Sequence, residues 1–231
     1  MLHVTAVTHR GLVRNTNQDR IVAGRWVLGP DDPDPVEIDL ALGATVAVAD
    51  GMGGAAGGDL AAGLAAGVLA SASRDGGPID AVHRANRALY ETSDQVPGLA
   101  GMGVTIAGVS VGPDDAVIFN IGDTRVYVEV DDELIQTSVD DSSPNRPAAV
   151  TASLGGLASY EPVTPHVSRE LSAGRRFLVA SDGLTGAVGD TEIRNAMAGT
   201  DDLPAVRELL RLALDRGGPD NVSIAIIRSL V

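Results

Sequence analysis

The chain has 231 residues, 44% of them apolar but only 3% aromatic, a formal net charge of −14, no cysteine, and no lysine among its 17 basic residues. That length suits one large domain or two small ones, with a core built from Val, Ala, Leu and Ile. Disulfides, zinc–thiolate sites and thiol nucleophiles are excluded, as are Schiff-base chemistry and a P-loop lysine, while the acidity argues against nucleic acid and against an anionic membrane surface as partners.

Leu2 to Thr8 alternates as a strand would, Arg10 to Asp19 is polar, and Ile21 to Leu28 suggests a second strand. Residues 29–43 hold Gly29-Pro30-Asp31-Asp32-Pro33-Asp34-Pro35, the composition of a solvated loop, with 31–39 as a solvated acidic face. Residues 44–50 read as a buried strand. Residues 56–72, rich in Ala, Gly and Leu, predict a thin helix packed closely on a sheet. Residues 78–95 predict a second helix with Ile79, Val82, Ala85 and Leu89 on one stripe and Arg84, Arg87 and Glu91 off it.

Residues 103–111 and 116–122 predict a hairpin around Gly112-Pro113-Asp114-Asp115, and Arg125 to Thr137 two strand pieces turning near Asp131-Asp132. Residues 138–150 read as a polar loop or flap. Residues 161–171 and 175–181 are expected to pair around Ala173-Gly174. Helices are expected at 191–198 and 202–215, and a closing strand at 222–228. With no repeat and no long linker, residues 1–231 read as a single domain. The order of elements predicts an α+β fold: two packed, mostly antiparallel sheets with helices outside each, a four-layer α-β-β-α sandwich.

Three acidic turns follow apolar runs far apart in the chain: Asp50-Gly51 after Val46–Ala49, Asp182-Gly183 after Phe177–Ser181, and Asp220-Asn221 before Val222–Ile227. A buried strand that ends in Asp-Gly delivers a carboxylate to the rim of a sheet, and the glycine lets backbone approach a ligand. Carboxylates that converge there repel one another unless a cation sits among them. Oxygen-only donors select a hard ion, Mg2+ or Mn2+.

Five motifs carry a family resemblance. Gly11-Leu12-Val13-Arg14-Asn15-Thr16-Asn17-Gln18-Asp19, Asp50-Gly51-Met52-Gly53-Gly54, Gly122-Asp123-Thr124-Arg125, Ser181-Asp182-Gly183-Leu184 and Asp220-Asn221 stand in order over nearly the whole chain. Together they resemble the motifs of the metal-dependent protein phosphatases, the type 2C serine/threonine family, in its bacterial form with Met52. The resemblance implies a β-sandwich with a dinuclear Mn2+ or Mg2+ site at one end. It implies that Asp50 bridges the two ions, that the Gly51 carbonyl is a further ligand, and that Asp182 and Asp220 complete one ion's protein shell. Asp123, with Asp182, would hold a weaker third ion; Asp19 would orient water on the ions; Arg14 would grip the substrate phosphate.

The activity implied is hydrolysis of phosphoserine and phosphothreonine in proteins by a metal-bridged hydroxide. The partners implied are phosphorylated substrates of a Ser/Thr kinase. No motif histidine stands at position 52, and His3, His9, His83 and His166 read as surface or core residues. Val104, where the family shows Thr, reads as a buried strand position. The flap, at about 138–150, is shorter than the family's. A catalytically weak pseudophosphatase that binds phosphoproteins is the alternative reading. A monomer without a membrane segment, in the cytoplasm, is expected: no apolar stretch reaches 18 residues free of charge and no basic, then apolar, leader opens the chain.

Overall fold

A computed structural model describes all residues except Asp31, Gly53, Ser73–Asp75, Pro144, Asn145, Thr200 and Val231. In chain order the elements are β1 (Leu2–His9), β2 (Asp19–Ala23), β3 (Trp26–Leu28), β4 (Val36–Leu40), β5 (Thr45–Met52), α1 (Gly54–Ala72), α2 (Pro78–Gln95), β6 (Gly103–Val111), β7 (Asp115–Ile121) and β8 (Arg125–Val130). There follow β9 (Glu133–Gln136), β10 (Ser142–Ser143), β11 (Arg146–Val150), β12 (Leu154–Gly155), β13 (His166–Leu171), β14 (Arg176–Ala180), α3 (Asp182–Thr185), α4 (Asp190–Met197), α5 (Asp202–Asp215) and β15 (Val222–Ser229).

One sheet runs β4-β1-β15-β14-β8-β9 and the other β13-β7-β6-β5-β2-β3, with β12 extending the second beside β6. Every neighbouring pair along both paths is antiparallel. Period-two alternation sorts side chains into layers. Along β15, Ala225 and Ile227 face the other sheet, where they meet Val46, Val48, Val109 and Ile118. Ile224 and Ile226 face the opposite way, onto Ala205, Val206 and Leu209 of α5.

The second sheet repeats the arrangement: Val48 points between the sheets while Ala47 and Ala49 point toward α1 and α2. The buried face of α1 is Ala61, Ala62, Ala65, Ala66 and Leu69. Alanine's short side chain lets that helix lie close on the sheet without surrendering helix propensity. On α2, Ala81, Val82, Ala85 and Leu89 form the matching stripe, each 0% exposed. The four-layer α-β-β-α sandwich expected from the sequence is the fold.

Four local expectations are corrected. Residues 161–171 and 175–181 do not pair with each other: β13 lies at the edge of one sheet beside β7, and β14 lies inside the other between β15 and β8. The reason is visible in their patterns. The strand β13 alternates between half-buried and exposed residues, as an edge strand can, whereas all five residues of β14 are buried and need neighbours on both sides.

The 29–43 segment is not all loop, because Val36, Ile38 and Leu40 of β4 pack on the core between the sheets while Glu37 and Asp39 face out. Residues 21–28 form a hairpin, β2–β3, rather than one strand. The 138–150 flap contains the small pair β10–β11. Within it, Pro144 and Asn145 lie outside the described residues.

Candidate active site

Both sheets end at one edge of the sandwich, and the acidic turns are placed there. Asp19 opens β2 and Asp50 lies near the end of β5, directly opposite each other in the antiparallel register. Asp123 follows β7, Asp182 follows β14, and Asp220 precedes β15. Arg14, Asp50, Gly51, Asp123, Asp182 and Asp220 line one cleft of about 640 Å3, together with Val13, Gln18, Met52, Thr105 and Val150. Asp19 lies beneath it, fully buried. Residues separated by more than 200 positions in sequence thus share one site.

The cleft is held by side chains that carry no charge. Asn221 accepts from the Gln18 backbone N–H at 2.8 Å and donates to the carbonyls of Arg10 (2.8 Å) and Thr16 (2.9 Å). The backbone N–H of Leu12 donates to the Gly218 carbonyl at 2.8 Å. These bonds fasten the 10–18 loop to the turn before β15. Gly11 sits at φ +77° against the Asp220 carbonyl, and a Cβ would collide with that oxygen. Gly51 packs equally closely on the Gly58 carbonyl of α1, so any side chain at 51 would push the helix away from the site.

Beneath the carboxylates, the Ser181 hydroxyl donates to Asp19 Oδ2 at 2.9 Å and accepts the Ser223 backbone N–H at 2.9 Å. Asn17 Nδ2 donates to the Thr8 hydroxyl at 2.8 Å, and its Oδ1 accepts the Asp19 N–H at 3.1 Å. Thr105 and Thr124 share a buried hydroxyl–hydroxyl bond of 2.7 Å behind the Asp123 turn.

The electrostatics are those of crowded anions. Burial pushes the Asp182 carboxyl up to about 7, reinforced by Asp123, Asp220 and Asp19. Burial pushes Asp19 up to about 6 even though it accepts hydroxyl hydrogen bonds. Asp50 is raised well above the ordinary carboxylate range by burial and by all four neighbouring aspartates. Asp123 is raised by burial, then by Asp140 and Asp141. Among the described residues that line the cleft, Arg14 is the cation that answers them: more than half exposed, it places Nη2 2.6 Å from Asp220 Oδ2.

Among the described residues no three carboxylate or imidazole groups already close around a single point. The donor set nevertheless fits divalent ions. It is all oxygen, it is destabilised by its own charge, and Asp19 Oδ1 is buried without a hydrogen-bond partner. A hard cation in the cleft would relieve the repulsion among these carboxylates.

Every acidic residue of the cleft belongs to a motif with a role expected from the sequence, whereas Asn221, Ser181 and the Thr105–Thr124 pair carry no expected role. Asn221 stood in a motif, and its polar side chain next to a buried strand was the available signal. The hydroxyl contacts depend on which strands become neighbours, which the sequence pattern did not specify. Among the described residues no histidine lines the cleft. His3 pairs with Asp39 at 2.9 Å and Glu37 at 3.2 Å, His9 Nδ1 accepts the Gly11 N–H, and His166 bonds Asp141 at 2.9 Å. Val104 is a buried strand residue, as expected.

A four-layer sandwich with an aspartate-lined cleft across the ends of both sheets is a scaffold that gathers oxygen donors at one rim, and comparison with known proteins gives the family. The family model for protein phosphatase 2C matches residues 37–222, and the chain belongs to that family. The serine/threonine protein phosphatase PstP of Mycobacterium tuberculosis is 32% identical across 98% of this chain and 45% of its own length, so the chain spans under half of that relative. The serine/threonine phosphatase stp of Listeria monocytogenes is 26% identical across 98% of this chain and 95% of its own.

Among solved structures, the catalytic domain of PstP in complex with two manganese ions matches with a TM-score of 0.80, at 30% identity and 99% coverage of each chain. PppA of Pseudomonas aeruginosa matches at 0.78 and 26% identity. The family model begins at residue 37, so Arg14 and Asp19 lie outside it, while the PstP and stp relatives extend across 98% of the chain.

Proposed function

We propose that this chain is a metal-dependent phosphatase that removes phosphate from phosphoserine and phosphothreonine in proteins. The observation that carries the reading is the convergence of Asp50, Asp123, Asp182, Asp220 and Arg14 on one cleft. Bound Mn2+ or Mg2+ would supply an activated water and neutralise phosphate charge. Asp50, the Gly51 carbonyl, Asp182 and Asp220 would hold two ions, and Asp123 with Asp182 a weaker third. The pairing of Asp50 with buried Asp19, itself held by Ser181, suits Asp19 to orienting water and not to binding substrate.

Arg14 would take the phosphate. Its guanidinium presents a planar, permanently charged fork, and its exposure leaves it accessible to a ligand entering from solvent. The chain has no cysteine, and among the described residues no histidine lines the cleft, which agrees with direct displacement by water. We read residues 1–231 as one catalytic domain with a short flap at about 138–150, and the phosphorylated substrates of a Ser/Thr kinase as its partners. Among the described residues, no helix is long and apolar enough to cross a membrane. A monomer in the cytoplasm is the arrangement we propose.

The test is hydrolysis of p-nitrophenyl phosphate and of a phosphothreonine peptide with Mn2+, with Mg2+ and with EDTA. Turnover that requires the ion supports the reading. A folded protein that binds the phosphopeptide with no turnover under any ion would favour the pseudophosphatase instead.

A further inference from the structure

A second groove, of about 440 Å3, opens beside the catalytic cleft between α2 and the segment 150–164. Tyr90, Ile121, Ala152, Leu157 and Val163 supply its apolar surface, and among the described residues Glu161 is the one charged residue that lines it. Met52 and Val150 line both the groove and the catalytic cleft, so the two are continuous across a shared wall. The floor is rigid: Tyr90 donates to the Gly155 carbonyl at 3.2 Å and stands edge-on to Tyr160, and Asn86 binds the Glu161 carbonyl and the Gly155 N–H. The rim is open, with Leu157 and Tyr160 each 51% exposed. Glu161 is exposed, and among the described residues no ion pair engages it.

We propose that this groove is a subsite for the polypeptide flanking the phosphorylated residue, taking one apolar side chain with a basic residue next to it. The proposal rests on the phosphatase reading of the adjoining cleft. An extended chain advances about 3.3 Å per residue, so a segment anchored by its phosphate in the cleft reaches across the shared wall within a few residues. Apolar lining rewards burial of an aliphatic or aromatic side chain. A carboxylate at the edge, on a chain of net charge −14, favours a cationic neighbour and disfavours an acidic one.

Three phosphothreonine peptides test this: Leu-Arg, Leu-Asp and Gly-Arg on the flank, each fluorescently labelled, read by anisotropy and by kcat/KM. For the unaltered protein, Leu-Arg should bind and turn over best. Leu157→Asp should weaken Leu-Arg by about tenfold, the scale of losing one buried aliphatic group, and leave Gly-Arg little changed. Glu161→Arg should weaken Leu-Arg by roughly threefold and reverse the preference toward Leu-Asp.

Hydrolysis of p-nitrophenyl phosphate, too small to reach the groove, should be the same in all three proteins. Equal affinity for the three peptides, or no reversal with Glu161→Arg, overturns the subsite. A concentration-dependent dimer that Leu157→Asp dissolves also overturns it, by assigning the groove to a second copy. Absent hydrolysis of p-nitrophenyl phosphate by the unaltered protein would instead count against the catalytic reading, while anisotropy still decides the groove.

Discussion

Arg14 Nη2 stands 2.6 Å from Asp220 Oδ2, so the cleft's phosphate-binding candidate and one of its candidate metal ligands are hydrogen-bonded partners. The two lie 206 positions apart and meet because Asn221 and Gly11 lock their loops together. The pair explains why Arg14 is raised above the usual guanidinium range, first by that hydrogen bond and then by the charge of Asp220. The same carboxylate cannot saturate Arg14: a guanidinium has five N–H donors, and a phosphate can take those that remain.

Arg14→Ala should therefore lower kcat/KM for a phosphothreonine peptide by about tenfold to a hundredfold, the range for losing a charge-assisted contact to a reacting phosphate. Arg14→Lys should recover only part of it, because an ammonium lacks the fork. Steady-state kinetics at saturating Mn2+ checks both. An unchanged kcat/KM in Arg14→Ala would remove Arg14 from the site.

Asn221→Ala should destabilise the protein by about 2–4 kcal/mol, since it strips partners from one backbone N–H and two carbonyls beneath the cleft. Urea denaturation measures it. Turnover should fall as well, because the loop carrying Arg14 loses its anchor. A variant as stable as the parent would mean that solvent replaces these bonds.

The raised carboxyls make stability depend on pH in a definite direction. Asp19 and Asp182 rise from an unfolded value of 3.8 to about 6 and about 7, so the folded protein holds their protons more tightly than the unfolded chain. Their contribution is fully present below pH 3.8 and is lost as pH rises through about 6 to 7. In EDTA, Tm should fall between about pH 4 and about pH 7, and Asp182→Asn should flatten the slope. Mn2+ should raise Tm most at the upper end, where the carboxylates are ionised. A Tm that climbs with pH in EDTA, equally in both proteins, would contradict this.

Away from the cleft, Arg176 is 5% exposed and donates to Asp202 at 2.8 Å, to Glu129 at 3.2 Å and to the Met197 carbonyl at 2.7 Å. Arg228 also donates to Asp202. Asp202→Ala leaves a buried guanidinium short of its main counter-charge and should cost about 3–5 kcal/mol by denaturant titration. p-Nitrophenyl phosphate turnover of the folded variant should be unchanged, since Arg176 and Arg228 sit at the ends of β14 and β15 opposite to those that carry Asp182 and Asp220.

Much of this was legible in the sequence because its signals are local. The helix at 78–95 and the hairpin strands at 103–111 and 116–122 follow from periodicity and turn residues within a short window, and the strands stand within one residue of expectation. Asp50, Asp182 and Asp220 were legible because each adjoins a buried apolar strand. What failed was sheet membership. Leu171 and Arg176 are separated by a tight turn, yet the chain passes there from one sheet to the other. That choice depends on which edge is vacant elsewhere, a non-local fact. The 36–40 strand was hidden by its acidic residues, although Val36, Ile38 and Leu40 keep the alternation of a half-buried strand.

The most direct test of the central claim is diffraction from crystals grown with Mn2+, recorded at the manganese absorption edge for the parent protein and for Asp182→Asn. Two strong anomalous peaks on either side of Asp50 are expected in the parent, with at least one lost in the variant together with phosphopeptide hydrolysis. Peaks lying away from Asp50, Asp182 and Asp220, or an Asp182→Asn protein that keeps both ions and full turnover, would contradict it.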